Sequence, residues 1–352
     1  MTWAGKVEIS RVYYECKKCL HHEYAVDVSL GCEGSYSRQA MRLISLAGAS
    51  WGFETAEECL EEMTGLKLSA NTINKRTCEV GAEMKTWTRE SKELHDDFAQ
   101  TPGGTEFTTD GVMVRTTTDE WCEVKAVVFA KRPAGEARTA ENWKKTPLPK
   151  VKKKIGFAQI VMAKRLASSI PHWLKRLKIH APWDVRITAD GAKWIENMCV
   201  AHFPNADILL DIYHACDHVQ TMLKNLFPRD EKLRKEYFEK MRHSLLSRGW
   251  DGLYDEFESL KTTVGDSIWT QHASKTFAYF EARRNRLNYP ARLAAGLPIG
   301  SGLIEGSCKQ IVSRRLKPSA GCRWRIRTVN RMLGVLTALY TDTWGLFWAK
   351  QR

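Results

Sequence analysis

No run of about 18 uninterrupted apolar residues occurs in this chain, which excludes a helix crossing a membrane. Residues 1–10 lack the apolar core that a secretory signal needs, so the expected location is cytoplasmic. The 10 cysteines lie mostly inside apparent helices and strands, and with no secretory signal they read as reduced thiols. One Cys-x-x-Cys is present, Cys16-Lys17-Lys18-Cys19, and a second is missing. Tetrahedral zinc needs four ligands, so Cys16 and Cys19 are half a site. His21, His22 and Cys32 could complete it, but at no standard spacing, and Zn2+ is the minor reading beside structural thiols.

Acidic residues are scarce where basic ones gather. Residues 306–352 hold ten Lys/Arg, Arg352 the last of them, against the single acid Asp342. Residues 131–154 hold nine against Glu136 and Glu141. The whole chain carries +13, so the remainder is slightly acidic. Clustering of this kind fits a polyanion footprint, with a solvated surface as the bland alternative. A chain of 352 residues can bury a sizeable core and form two or three structural units.

Residues 39–93 have helical periodicity. Residues 55–64 end at Gly65, a natural C-cap, and Ser69 can cap a second helix over 70–81. Two helices joined by a short glycine-containing turn form a helix-turn-helix pattern. Its second helix would expose Asn71, Thr72, Asn74, Lys75 and Arg76 toward bases or phosphates. From 105 the pattern alternates. Three strands are expected first, over 106–110 followed on by 111–116, over 121–131 and over 155–162, with a polar, basic, exposed loop over 132–154. A helix over 170–179, a strand over 183–189, a helix over 192–203 and a strand over 208–213 follow. Residues 218–295 are helical, with Leu233, Tyr237, Met241 and Leu245 at core spacing.

Three acids stand out against this frame. Asp110-Gly111 and Asp190-Gly191 each close an apolar stretch, and Glu305 follows Ile299-Gly300-Ser301-Gly302-Leu303-Ile304. Carboxylates on neighbouring strand ends can hold divalent cations that act on phosphodiesters. Asp-Gly is also an ordinary turn dipeptide. The ordered set of three is the more specific signal. Asp211, His214 and His218 are weaker candidates, read as support or helix capping beside the site. Lys309, Arg314, Arg315 and Lys317, on a helix over 307–316, would neutralise phosphates, and Trp324 between Arg323 and Arg325 could stack on an unpaired base or be buried.

The segments Thr108-Thr109-Asp110-Gly111, Ile187-Thr188-Ala189-Asp190-Gly191-Ala192-Lys193-Trp194-Ile195 and Leu209-Leu210-Asp211-Ile212-Tyr213-His214 resemble DDE transposases of bacterial insertion sequences. So do Ile299 to Glu305, Arg315-Leu316-Lys317 and Gly321-Cys322-Arg323-Trp324, with the ISKra-type group the nearest in kind. The resemblance covers about residues 10–348. It implies an α/β fold, a ribonuclease H-like core of mixed sheet flanked by helices, with Asp110, Asp190 and Glu305 as the metal-binding catalytic triad. It further implies Mg2+ or Mn2+, double-stranded DNA as substrate, a homodimer or higher oligomer on that DNA, and strand cleavage and transfer at the element's ends.

The expected organisation is an irregular segment over 1–38, a helical DNA-binding region over 39–100 and the first part of the core over 101–217. A helical insertion over 218–297 and core completion over 298–352 follow. Two other functions fit the same residues: a ribonuclease H-like nuclease without strand transfer, and a non-catalytic helix-turn-helix protein.

Overall fold

The computed structural model describes residues 1–2, 7–30, 32–33, 35–118, 121–319 and 321–350; Arg352 of the basic run lies outside them. Near the N-terminus two short antiparallel hairpins, Tyr13–Glu15 with His22–Tyr24 and Cys32–Glu33 with Tyr36–Ser37, flank a helix over Ala25–Leu30. Four helices follow: α1 (Arg38–Ser50), α2 (Phe53–Thr64), α3 (Ala70–Glu90) and α4 (Lys92–Gln100). Gly65 ends α2 in the left-handed region, φ 69°, donating its N–H to Glu61 O. The Ser69 side chain then accepts from Thr72 N–H and starts α3.

The helix expected to stop at Gly81 runs on to Glu90. Gly81 lies where α3 crosses α13 (Ile326–Tyr340), and a Cβ built on it would stand 2.1 Å from the Arg331 carbonyl oxygen. Gly334 on α13 is its counterpart, 1.9 Å from the Gly81 carbonyl by the same construction. The missing side chains let two backbones touch, so Gly81 is a crossing point inside a helix rather than a stop.

Five strands form the central sheet: β1 (Gly104–Arg115), β2 (Trp121–Arg132), β3 (Lys153–Ile160), β4 (Arg186–Ala189) and β5 (Asp207–Leu210). Their order is β3-β2-β1-β4-β5. The first three pair antiparallel, and β4 and β5 join parallel. Parallel neighbours need crossovers, supplied by α5 (Ile170–Arg176) and α6 (Lys193–His202). This mixed sheet flanked by helices agrees with a ribonuclease H-like core. Val124, Val127, Val128 and Phe129 of β2 are fully buried, because the central strands are covered on both faces. One face packs on α13 and on α12 (Gly302–Cys308) through Val114, Ala126, Val128, Ile304 and Ile311. The other packs on α4, α5 and α6 through Phe98, Phe107, Phe129, Trp173 and Phe203.

Between β5 and α12 the described elements are all helical: α7 (Ile212–Leu226), α8 (Glu231–Val264), α9 (Asp266–His272), α10 (Ser274–Glu281) and α11 (Tyr289–Ala294), with a 3-10 turn at Arg284–Arg286. Met241 and Leu245 are buried in their shared core, as the four-residue stripe requires, and Tyr237 packs against it. Gly249, φ 63°, breaks α8 into two arms.

Two expectations need correction here. Residues 104–115 form one continuous strand, so Asp110-Gly111 sits within it; Gly111 pairs with Lys125 as any strand residue would. The 132–154 loop is not exposed throughout. Gly135 N–H donates to Gly296 O, Arg138 N–H donates to Leu293 O, and Arg138 is buried. Gly135 and Arg138 thus bind carbonyls at and just past the end of α11, and this contact lies beyond any local pattern.

Candidate active site

β1 and β4 pair in parallel with Glu106 opposite Arg186 and Phe107 opposite Ile187. The same register, continued four residues, brings Asp110 level with Asp190, which directly follows β4. Alternation puts Glu106, Thr108 and Asp110 on one face of the sheet, the face under α12. Asp110 is half-buried and accepts from Gly111 N–H at 2.6 Å. Burial pushes its carboxyl above the usual range, and the charge of Asp190 adds to the rise. Asp110 on β1 and Asp190 just past β4 therefore lie within electrostatic reach of each other.

The Asp190 loop is shaped by its own turn and clamped from outside. Asp190 Oδ1 accepts from Ala192 N–H at 2.8 Å, and Gly191 has φ 85°, a conformation that favours glycine. Arg283 donates from Nη2 to Gly191 O at 3.2 Å and from Nε to Glu196 at 2.7 Å, while its guanidinium lies 4.0 Å from the centre of the Tyr279 ring. His218 stacks on the same Tyr279 ring, with centroids 4.0 Å apart. The helices between β5 and α12 thus supply a wall to the Asp190 turn. Arg283, Tyr279 and Glu196 were not singled out in the sequence, because a clamp spanning 87 residues has no local signature.

Glu305 is exposed, on α12. Ser301 Oγ lies within hydrogen-bond reach of Glu305 Oε1, at 3.0 Å, and of Asp211 Oδ2. Asp211 is fully buried and satisfied on both oxygens. Oδ1 accepts from Tyr213 N–H at 2.7 Å, capping α7, and Oδ2 accepts from Ser301 N–H at 3.0 Å. Asp211 therefore anchors the entry to the Glu305 helix. Cys308, one turn beyond Glu305, is buried and its thiol is pushed up by that burial and by the neighbouring Asp110 and Glu305. It links the helix to the acid pair. His214 lies within electrostatic reach of Asp110 and of His218.

Among the described residues no group of three His, Cys, Asp or Glu is drawn close enough to hold a metal ion. The donor chemistry of Asp110 and Asp190 nevertheless fits a hard divalent cation: two oxygen ligands whose mutual repulsion and burial a cation relieves. Cys16 and Cys19 lie between the strands of the first hairpin, both exposed. The backbone N–H groups of Cys19 and Lys18, and the Cys19 thiol, pull the Cys16 thiol down. Neither His21, His22 nor Cys32 gathers with them into a closed zinc site among the described residues.

The expected DNA-contacting residues divide by exposure. Asn71 and Lys75 are exposed on α3; Asn74 accepts from Cys78 Sγ, and Arg76 pairs with Glu79 at 2.8 Å and lies over the Tyr36 ring. Lys309, Arg314, Lys317, Arg323 and Arg325 are exposed. Arg315 and Trp324 are not available to DNA. Arg315 is buried, donates from Nε to Gly48 O at 2.9 Å and stacks on Phe53 and Trp324; burial lowers it to about 10. Trp324 is buried and donates from Nε1 to Leu316 O at 2.9 Å. A guanidinium between two rings gains more from packing than from a groove it cannot reach. The basic helix also differs from expectation: after α12, Lys309–Ser313 takes a π turn before helical geometry resumes at Arg314–Leu316. Such bulges gather at functional sites.

A family model described as a transposase, of the ISL3-type DDE group, matches residues 152–327, a span that includes Asp190 and Glu305 and ends past Trp324. A search of curated proteins finds no match. The family match does not resolve the ISKra-type subgroup. Half of the chain is covered, and the chain belongs to the ISL3-type DDE transposase family.

Proposed function

We propose that this transposase cleaves DNA strands at the ends of an insertion sequence and joins them to target DNA, with Asp110, Asp190 and Glu305 as its catalytic carboxylates. The observation that supports the proposal is the pairing of Asp110, on β1, with Asp190, just past the end of the parallel neighbour β4, both beside the helix of Glu305. Magnesium or manganese held by these three acids would supply charge neutralisation at the attacked phosphate and an activated oxygen nucleophile. The chain's own residues do the rest. Arg283 and Gly191 hold the Asp190 turn, Asp211 and Ser301 fix the start of the Glu305 helix, and Lys309, Arg314, Lys317, Arg323 and Arg325 bind phosphates.

In this reading the helices over 218–297 are an insertion within the core, and the α2–α3 pair is a helix-turn-helix presenting Asn71 and Lys75 to double-stranded DNA. Residues 1–38, 39–100, 101–217, 218–297 and 298–352 keep the roles given above, and the active species is a dimer or larger assembly on DNA. The test uses purified protein and labelled duplexes cut from the DNA on either side of its coding region, searched for terminal inverted repeats, with and without magnesium. Cleaved and joined products are expected. Cleavage without joining would favour the nuclease, and binding without cleavage the non-catalytic DNA-binding protein. Asp190→Asn is expected to abolish cleavage and leave binding nearly intact; retained cleavage overturns the carboxylate assignment.

A further inference from the structure

Burial of Trp324 removes one aromatic from the DNA path, and the structure puts a different pair beside Glu305. Tyr213 is the second residue of α7, two past the Asp211 cap, and its side chain is 51% exposed. Its ring lies against Gly300, where a Cβ would come within 2.8 Å of it, so the glycine makes room for the ring. Gly300 adjoins Ser301, whose hydroxyl reaches Glu305. Trp143 faces Tyr213 with centroids 6.1 Å apart and planes inclined by 54°. Lys144 lies 5.3 Å from the Trp143 ring, and Lys144 and Lys145 are exposed. The loop carrying Trp143 is held in place by the Gly135–Gly296 and Arg138–Leu293 hydrogen bonds.

We propose that Tyr213 and Trp143 form a stacking platform for one unpaired base of the DNA strand beside the cleaved phosphate, with Lys144 and Lys145 engaging the adjoining backbone. This rests on the assignment of Glu305 to the catalytic site. Gly300 opens the turn into the Glu305 helix, and the surface there is the exposed Tyr213 ring with the half-buried Trp143, itself braced on the helical core, beside it and Lys144 and Lys145 at the rim. Bases inside a duplex have their faces covered by their neighbours, so such a surface serves a base that has left the stack. Aromatic area flanked by ammonium groups suits a nucleic acid, and Glu141, the acid of the loop nearest Trp143 in sequence, is engaged by the Thr139 hydroxyl and lies against His243.

The probe is a nicked duplex carrying a single unpaired 2-aminopurine next to the nick, studied without divalent metal so that the signal does not depend on cleavage. Wild-type protein is expected to quench the fluorophore, and Tyr213→Phe to quench it equally. Tyr213→Leu and Trp143→Leu are each expected to lose the quenching and to bind this probe roughly 5- to 150-fold more weakly, while binding continuous duplex as before. Matching thermal midpoints confirm that the leucine variants are folded. Wild-type-like quenching and affinity in both leucine variants overturns the proposal, as does an equal loss on continuous duplex. Asp190→Asn separates the two readings: it should retain quenching while cleavage disappears. If it still cleaves, the carboxylate assignment fails while the quenching result stands.

Discussion

Asp211→Asn is the substitution that most directly tests the link between β5 and the Glu305 helix. The asparagine is nearly isosteric, so it leaves no cavity, and its Oδ1 can still cap α7 through Tyr213 N–H. In the position of Oδ2 it puts an NH2 against Ser301 N–H, a donor facing a donor. The Ser301 hydroxyl can turn to donate to Glu305, but the Ser301 N–H cannot move. Flipping the amide only shifts the clash to Tyr213. An unsatisfied buried N–H costs about 1–3 kcal/mol, and a hydrogen bond to a charged group contributes about 1.5–3 kcal/mol. The two overlap, giving a net loss of roughly 2–4 kcal/mol. Asp211→Ala adds the lost cap, about 0.5–2 kcal/mol more.

Urea unfolding followed by circular dichroism measures both losses. Ser301→Ala and the double variant complete a cycle. If the contacts are those of the structure, the pair should couple by about 0.5–3 kcal/mol. The same variants should also cleave DNA more slowly at conditions where they are fully folded, because the Glu305 helix has lost its anchor. An Asp211→Asn protein that unfolds at the wild-type urea concentration, or a cycle with no coupling, refutes the reasoning.

Three further expectations rest on independent parts of the molecule. Gly334→Ala should lower the unfolding midpoint by the equivalent of about 1–3 kcal/mol, since its Cβ would stand 1.9 Å from the Gly81 carbonyl at the α3–α13 crossing; an unchanged midpoint would mean that the helices part freely. Asp110→Asn should stabilise the metal-free protein at neutral pH. The folded pKa of Asp110 is raised by burial, so the native state binds its proton more tightly than the unfolded chain. Stability then rises as pH falls through the folded value, and the advantage of asparagine shrinks to nothing below the ordinary aspartate range. Urea midpoints across that window check the sign, and an asparagine variant that is less stable at neutral pH contradicts it. Replacing Lys309, Arg314 and Lys317 by glutamine should each reduce the slope of log affinity against log salt by about 0.9 where a phosphate is contacted. Arg315→Gln should instead lower stability through the buried Phe53–Trp324 stack, with the slope unchanged in folded protein.

The order of strands was legible in the sequence because the central strands are rich in Val, Ile and aromatic residues and are bounded by turn residues. The positions of Gly65 and Ser69 likewise marked the α2–α3 junction through local backbone chemistry. Long-range contacts had no such marker. Gly81 and Gly334 are separated by 253 residues in the chain (334 − 81), and nothing near either predicts that two helices meet there. Arg315 and Trp324 carry the residue types expected of a DNA surface, yet residue type alone does not distinguish a guanidinium in a groove from one stacked between rings. Exposure decides that, and exposure is set by the whole fold.

The same limit separates the three acids proposed as catalytic from the residues that surround them. Asp110, Asp190 and Glu305 announce themselves by type and by the glycines beside them. Their placement depends on contacts that join distant segments: Arg283 to Gly191 across 92 residues, and Ser301 to Asp211 across 90. Both contacts tie the helices between β5 and α12, or the segments bounding them, to a carboxylate-bearing turn or helix. Those helices are therefore more than a spacer between two acids. Loosening them should displace Asp190 and Glu305 together, so on the proposed assignment variants in this wall should slow cleavage as variants of the carboxylates do.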